Sequence, residues 1–214
     1  MIEFIGAVYN EQDNLDSLIE HIAPWVDQLH FVDDGSTDRT AQILNKWFIT
    51  GWQHGAIVDY TTIEHTGLPE TVKKMALTMC DRDSWVIMLD ADERFADGVL
   101  SEIYDFITSP VANDIDHVYF TLHEYLDGQY TGRTFLKCRL FKAWAGHFSD
   151  QVHVSDWFDG KGENYGWQVL HEKTREKQIR REKEYIETYN KLRNEGKITD
   201  ERVKELISLH YFVK

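Results

Sequence analysis

Asp90 and Asp92 flank Ala91 directly after the apolar run Val86-Ile87-Met88-Leu89, which reads as a buried strand. Two carboxylates one residue apart at a strand's C-terminal end make a hard, oxygen-rich site. Such a site suits Mg²⁺ or Mn²⁺ carrying a substrate's phosphates. In open α/β sheets, ligands collect at these strand ends. A second acidic turn, Asp33-Asp34-Gly35-Ser36, closes the apolar segment Phe31-Val32. Together the two turns point to a site for a nucleoside diphosphate. A calcium loop is excluded, because the sixth position counted from Asp90 is Phe95, where that loop requires glycine.

The elements that must position these turns follow from periodicity. Residues 2–8 are apolar and β-rich, a first strand. Leu15, Leu18, Ile19, Ile22, Val26 and Leu29 recur at helical spacing, with Asn14 as N-cap. Ser36 or Thr37 caps a helix running to about Phe48. A short strand over 56–60 precedes a helix from Pro69, a residue suited to a first turn, to Cys80. The strand over 85–89 then delivers Asp90. Strand–helix alternation of this kind predicts a mostly parallel sheet covered by helices. After a helix over 97–108, Pro110 breaks the pattern. Residues 117–125 and 134–142 read as longer aromatic-rich strands, with Gly128 and Gly132 in their connection. From Thr174 the chain is charged and helical: Ile179, Tyr185, Ile186, Tyr189 and Leu192 leave an apolar stripe, Gly196 stops the helix, and a last helix covers 199–210.

Composition bounds the rest. The chain has 214 residues, 42% of them hydrophobic, enough for a core. A net charge of −14 argues against a nonspecific binder of nucleic acid polymers. Cys80 and Cys138 form no C-x-x-C motif, so neither a zinc motif nor a disulfide framework is predicted, and reduced thiols in a cytoplasmic protein are expected. No apolar run approaches the about 18 residues of a membrane span, and the first residues enter a strand without a charged leader.

Three segments, taken in order, carry a resemblance: Ala7-Val8-Tyr9-Asn10-Glu11, Val32-Asp33-Asp34-Gly35-Ser36-Thr37-Asp38, and Leu89-Asp90-Ala91-Asp92-Glu93. In type, order and spacing they resemble family 2 glycosyltransferases of the GT-A fold, over roughly residues 3–110. Arg139-Leu140-Phe141-Lys142, His153 and His171 fit more loosely. The resemblance implies an α/β, Rossmann-like, mostly parallel sheet flanked by helices, with a small antiparallel portion and a helical C-terminal extension. The expected organisation is a transferase domain over 1–172, with a nucleotide-binding half to about 95 and an acceptor half over 96–172, then an extension over 173–214. It further implies a metal-dependent inverting transfer from a nucleotide sugar, UDP-sugar favoured, to a hydroxyl acceptor on a glycan, a protein or a modified nucleobase. The acidic charge disfavours the nucleic acid acceptor.

By that resemblance Ala7, Tyr9 and Glu11 contact the nucleotide, and Asp33 accepts a hydrogen bond from the base. Asp34, Gly35 and Ser36 shape the turn. Lys73 stands where the family often has Arg and serves as a point charge near the nucleotide, or is a solvated helix lysine. Asp90 sits near the ribose or, through water, the metal; Ala91 lies on the nucleotide side; and Asp92 is the metal ligand, with His153 and His171 as direct or outer partners of Mn²⁺ or Mg²⁺. The basic run Lys173, Arg175, Lys177, Arg180 and Arg181 either clamps the diphosphate or forms a solvated helix face. Relatives often place Glu directly after a His near His153, but here Val154 follows. Asp150 and Asp156 are therefore the candidates for the general base, with Glu124 and Glu172 as other options. Two alternatives remain at this stage: a non-catalytic nucleotide- or sugar-binding relative, suggested by Val154, and a phosphatase of the haloacid dehalogenase type, whose nucleophile motif Asp90-Ala91-Asp92 matches superficially.

Overall fold

A computed structural model describes residues 1–55, 57–149, 156–210 and 212. Along them run β1 (Ile2–Val8), α1 (Leu15–Ile22), β2 (Gln28–Asp33), α2 (Thr40–Thr50), β3 (Ile57–Thr62), α3 (Pro69–Leu77), β4 (Trp85–Met88) and β5 (Glu93–Phe95). Then come α4 (Val99–Thr108), β6 (His117–Leu126), β7 (Gln129–Lys142), β8 (Gly146–His147), β9 (Trp157–Phe158), β10 (Gly162–Lys173), α5 (Arg175–Asn194) and α6 (Asp200–Ser208). Eight strands share one sheet in the order β3-β2-β1-β4-β7-β6-β10-β5, while β8 and β9 pair separately. β3, β2, β1 and β4 are parallel; β7 joins β4, and β5 joins β10, antiparallel.

β4 reads as an unbroken apolar run because both its faces are covered; β1 and β2 are buried likewise but interrupted by Glu3 and His30, and the edge strand β3 is largely exposed. Phe4 and Val8 of β1 face the cluster that holds Leu15, Leu18, Ile19 and Ile22 of α1. Ile5, on the other face, joins Val72 and Ala76 of α3. Each such large side chain, fully buried, contributes about 1.5–3 kcal/mol. Gly6 leaves room for Phe31: a Cβ there would meet the Phe31 ring at 2.5 Å.

Several elements end elsewhere than the sequence pattern predicts. α1 stops at Ile22 because Pro24 enters a 3₁₀ turn, so Val26 and Leu29 leave the helix, and Leu29 lies in β2. Neither Ser36 nor Thr37 caps α2; Asp38 Oδ1 accepts from the Thr40 amide at 2.8 Å instead. Gly132 lies inside β7, and the connection to β6 is the tight turn at Asp127-Gly128. β10 leaves no strand pattern in the sequence, because its first residues, Gly162–Gly166, are exposed and interrupted by glycine.

The chain divides into two compact units. One comprises Met1–Glu124 and Gly132–His171; the other comprises Tyr125–Thr131 and Glu172–Lys214. In the second, Thr174 and Thr199 cap α5 and α6 with their side chains, Tyr189 Oη lies 3.1 Å from His210 Nε2, and Asp127 accepts from the Arg175 amide at 3.0 Å. Among the described residues no helix is long and apolar enough to cross a membrane.

Candidate active site

The first two strand ends are laced together. Val8 of β1 stands opposite Asp33 of β2, and the Asp34 amide donates to the Val8 carbonyl at 2.9 Å. Asn10, held at φ 54°, turns its Oδ1 to accept from the amides of Thr37 and Asp38 at 2.8 and 3.3 Å. Its own amide donates to Ser36 Oγ at 2.9 Å. Ser36 donates from its amide and hydroxyl to Asp33 Oδ1, at 3.0 and 2.5 Å. The Glu11 amide reaches Thr40 Oγ1 at 2.8 Å.

Asp34 holds a third loop. Its carboxylate accepts from the amides of Thr66 and Gly67 at 2.7 and 3.1 Å, and His65 Nδ1 lies 3.0 Å away. Gly35, at φ 71°, passes so near this loop that a Cβ would sit 2.9 Å from the His65 nitrogen. His65 in turn stacks on Tyr9, ring centroids 4.0 Å apart and 19° from parallel.

The sequence-derived nucleotide residues thus gather at the ends of β1 and β2, each with partners already. One face of Tyr9 carries His65. Glu11 is buried, and its carboxylate accepts from Asn14 Nδ2 at 3.0 Å. Asp33 is wholly buried, with Thr62 Oγ1 at 3.4 Å from its second oxygen. Ala7 is half-buried on β1.

The acidic turn after β4, the neighbour of β1, is closed by reciprocal bonds. The Glu93 amide donates to the Asp90 carbonyl at 2.9 Å, and the Asp90 amide donates to Glu93 Oε2 at 3.1 Å. Arg94 fastens it from outside. Its guanidinium donates to the Ala91 and Glu93 carbonyls at 2.9 and 2.6 Å, and to the Asn14 carbonyl and Ser17 Oγ at the start of α1 at 2.9 and 2.5 Å. Ala91 is packed in the core.

Charge converges on this turn. Lys73 Nζ lies 3.3 Å from Asp90 Oδ1, so the solvated-lysine alternative does not hold. The buried Arg139 donates to Glu93 Oε1 at 2.6 Å and stands 3.7 Å from Asp90 Oδ2. Burial would raise the Asp90 carboxyl, but the Lys73 and Arg139 charges outweigh it and hold it well below the usual range. Burial would lower the Lys73 ammonium, and Asp90 raises it above its ordinary value. Asp156 feels the same charges. Burial first, then Asp90, push its carboxyl up against Lys73 and Arg139, and its buried Oδ1 has no hydrogen-bond partner among the described residues. Glu70, in the first turn of α3, is raised as well, chiefly by burial.

β10 completes the site. It runs antiparallel to β5 with His171 opposite Glu93. His171 Nε2 comes 3.3 Å from Asp92 Oδ1, while Asp92 is 4% exposed. An imidazole nitrogen facing a carboxylate oxygen at that spacing fits a hard divalent ion, since adjacent ligands about 2.1 Å from an octahedral ion sit about 3.0 Å apart. Asp150 and His153 lie outside the described residues. Arg139, Glu70, Arg94 and His65 carry no signal of a site role in the sequence, although Arg139 lies in the Arg139-Leu140-Phe141-Lys142 segment of the resemblance. Glu124 is buried, with Arg133 at 3.8 Å.

A family model described as glycosyl transferase family 2 matches residues 4–195. No curated protein sequence matches the chain. Among solved structures, S. aureus TarS 1-349 in complex with UDP-GlcNAc superposes with a TM-score of 0.63 at 12% identity, over 98% of this chain and 71% of that one. The chain spans 22% of a longer TarS chain. The mannosyltransferase PcManGT from Pyrobaculum calidifontis, in complex with GDP-Man and Mn²⁺, gives 0.56 at 16% identity, over 98% and 69%. GalNAc-T7 with UDP, GalNAc and Mn²⁺ gives 0.59 at 12% identity, over 89% and 47%. At these identities the likeness establishes the fold.

Proposed function

The chain belongs to glycosyl transferase family 2, and from that premise we propose that it moves a sugar from a nucleotide-sugar donor to a hydroxyl acceptor with inversion at the anomeric carbon. One observation carries this. Lys73 and Arg139 converge on Asp90 beside the facing pair Asp92 and His171, at the strand ends where the donor's diphosphate would lie. Family membership displaces the phosphatase alternative.

In this scheme Ala7, Tyr9, Glu11 and Asp33 bind the base and ribose, with UDP favoured as in the TarS and GalNAc-T7 complexes. Asp90 faces the nucleotide, Ala91 packs into the core and spaces the two carboxylates rather than touching the ligand, and Lys73 sets a positive charge beside the diphosphate. Asp92 and His171 would hold Mn²⁺ or Mg²⁺, which would supply positive charge against the departing nucleoside diphosphate. Asp156 is the general base. It takes the acceptor's hydroxyl proton as that oxygen bonds to the anomeric carbon, while the bond to the phosphate oxygen breaks and its electron pair leaves with the diphosphate. Its raised carboxyl favours this work, because a base is most effective when its pKa approaches the working pH.

The test is thermal stabilisation by UDP- and GDP-sugars with and without Mn²⁺, since a ligand of the native state raises the melting point. Wild type should show a shift that needs both metal and nucleotide. Asp92→Asn should lose the metal-dependent part. Asp156→Asn should keep the shift yet lose donor turnover, whereas Glu70→Gln should keep both. A metal-dependent shift undiminished in Asp92→Asn sinks the metal assignment.

A further inference from the structure

A second group of ligand-type side chains lies at the other end of the same sheet. Glu3 stands near the start of β1, five residues before Val8, which at about 3.3 Å per residue is about 16 Å from the strand end. His30 of β2 lies beside it, with Nε2 3.2 Å from Glu3 Oε1. Cys80 arrives in the turn between α3 and β4, its sulfur on the side of the Glu3 carboxylate. One ligand atom from each residue lies within 4.8 Å of the other two. Glu3 and His30 are 1% and 3% exposed, while Cys80 is half-buried and opens a way in.

We propose that Glu3, His30 and Cys80 bind a thiolate-accepting divalent cation of the zinc type, apart from the hard-ion site at Asp92 and His171.

Three observations support this. First, Glu3 is already oriented: its Oε2 accepts from the Asp81 amide at 2.9 Å and from Ser84 Oγ, the kind of outer hydrogen bonding that fixes a carboxylate ligand. Second, His30 Nδ1 is buried without a hydrogen-bond partner among the described residues. Without an ion, Nε2 faces Glu3 Oε1 and donates to it; with nothing bonded to Nδ1, the ring proton can move there when Nε2 takes the ion. Third, the charge balances. Without a cation the pocket buries one carboxylate. A divalent ion displaces the Cys80 thiol proton to solvent, and carboxylate, thiolate and ion then sum to zero. A buried neutral assembly is favoured over a buried lone charge. The sulfur ligand selects the zinc type over Mn²⁺ or Mg²⁺.

Cadmium serves as the probe, because thiolate-to-cadmium charge transfer absorbs in the ultraviolet. Titrating the full chain with Cd²⁺ should raise that band and saturate at a single equivalent, and Zn²⁺ should compete for it. Cys80→Ser and His30→Gln should each abolish the band, while Cys138→Ala should keep it. Ser84→Ala should weaken Zn²⁺ binding about tenfold. Circular dichroism and retained Mn²⁺-dependent behaviour identify variants that are folded. No band in wild type overturns the proposal, as does a band that survives Cys80→Ser. A band lost in Cys80→Ser but unchanged in a folded His30→Gln leaves a thiol acting alone and overturns it too.

Discussion

Glu93 and Arg139 offer a quantitative test of how the acidic turn is held. Their side chains are 1% and 5% exposed, and they meet at 2.6 Å. Removing one partner from a buried ion pair leaves the other charge without compensation, which costs about 3–5 kcal/mol. Glu93→Met and Arg139→Met should each lower the unfolding free energy by that amount, and additive behaviour would predict about 6–10 kcal/mol for the pair. The double variant should lose far less. Replacing a buried pair by apolar side chains of similar volume is often neutral. What remains is the Asp90 amide, deprived of Glu93 Oε2 at about 1–3 kcal/mol, and the Asp90 carboxylate, which loses Arg139 but keeps Lys73 at 3.3 Å. Urea unfolding of the four proteins, read as a double-mutant cycle, gives the coupling directly. A double variant as unstable as the sum of the single ones would refute the claim that these groups act as a pair.

Two further predictions concern the same turn. His21 Nε2 accepts from the Phe95 amide at 3.2 Å, and burial, then Arg94, hold its pKa below the ordinary 6.5. The unfolded chain therefore takes up the proton first: the contribution of His21 to stability is complete above about pH 6.5 and is lost as pH falls below it. Stability curves between pH 7 and pH 5 should flatten in His21→Gln, although His210, also shifted down by burial, keeps part of the slope. Arg94→Lys keeps the charge but forfeits the planar fork that spans two carbonyls and the start of α1. Mn²⁺ affinity should fall about 10–100-fold, as for lost outer-shell support, and an unchanged affinity by calorimetry would show that Arg94 does not position the turn.

Much of the parallel half is legible in the sequence, for a physical reason. Strands buried on both faces end here in short apolar runs, Phe31-Val32 and Trp85–Leu89, and the acids that follow them, Asp33 and Asp90, stand out by contrast. The Asp92–His171 pair depends on β10, whose exposed, glycine-interrupted start carries no clear period. Arg139 has no local signal of its role. It sits in a strand 46 residues beyond Glu93, and only the pairing of β7 with β4 brings them together. The overrun of α1 has the opposite cause: Val26 and Leu29 continue the helical spacing by coincidence after Pro24 has ended the helix.

The lacing of the first two turns has a consequence for engineering. Asn10 closes the second turn with its side chain, while Ser36 and Thr40 close the first with their hydroxyls. With the loop at 65–67, which Asp34 holds and whose His65 stacks on Tyr9, residues 9–12 and 33–40 therefore form one exchangeable part. A chimera that imports a relative's first turn alone inherits mismatched donors and acceptors, so transplanting a different base preference requires all three segments to travel together.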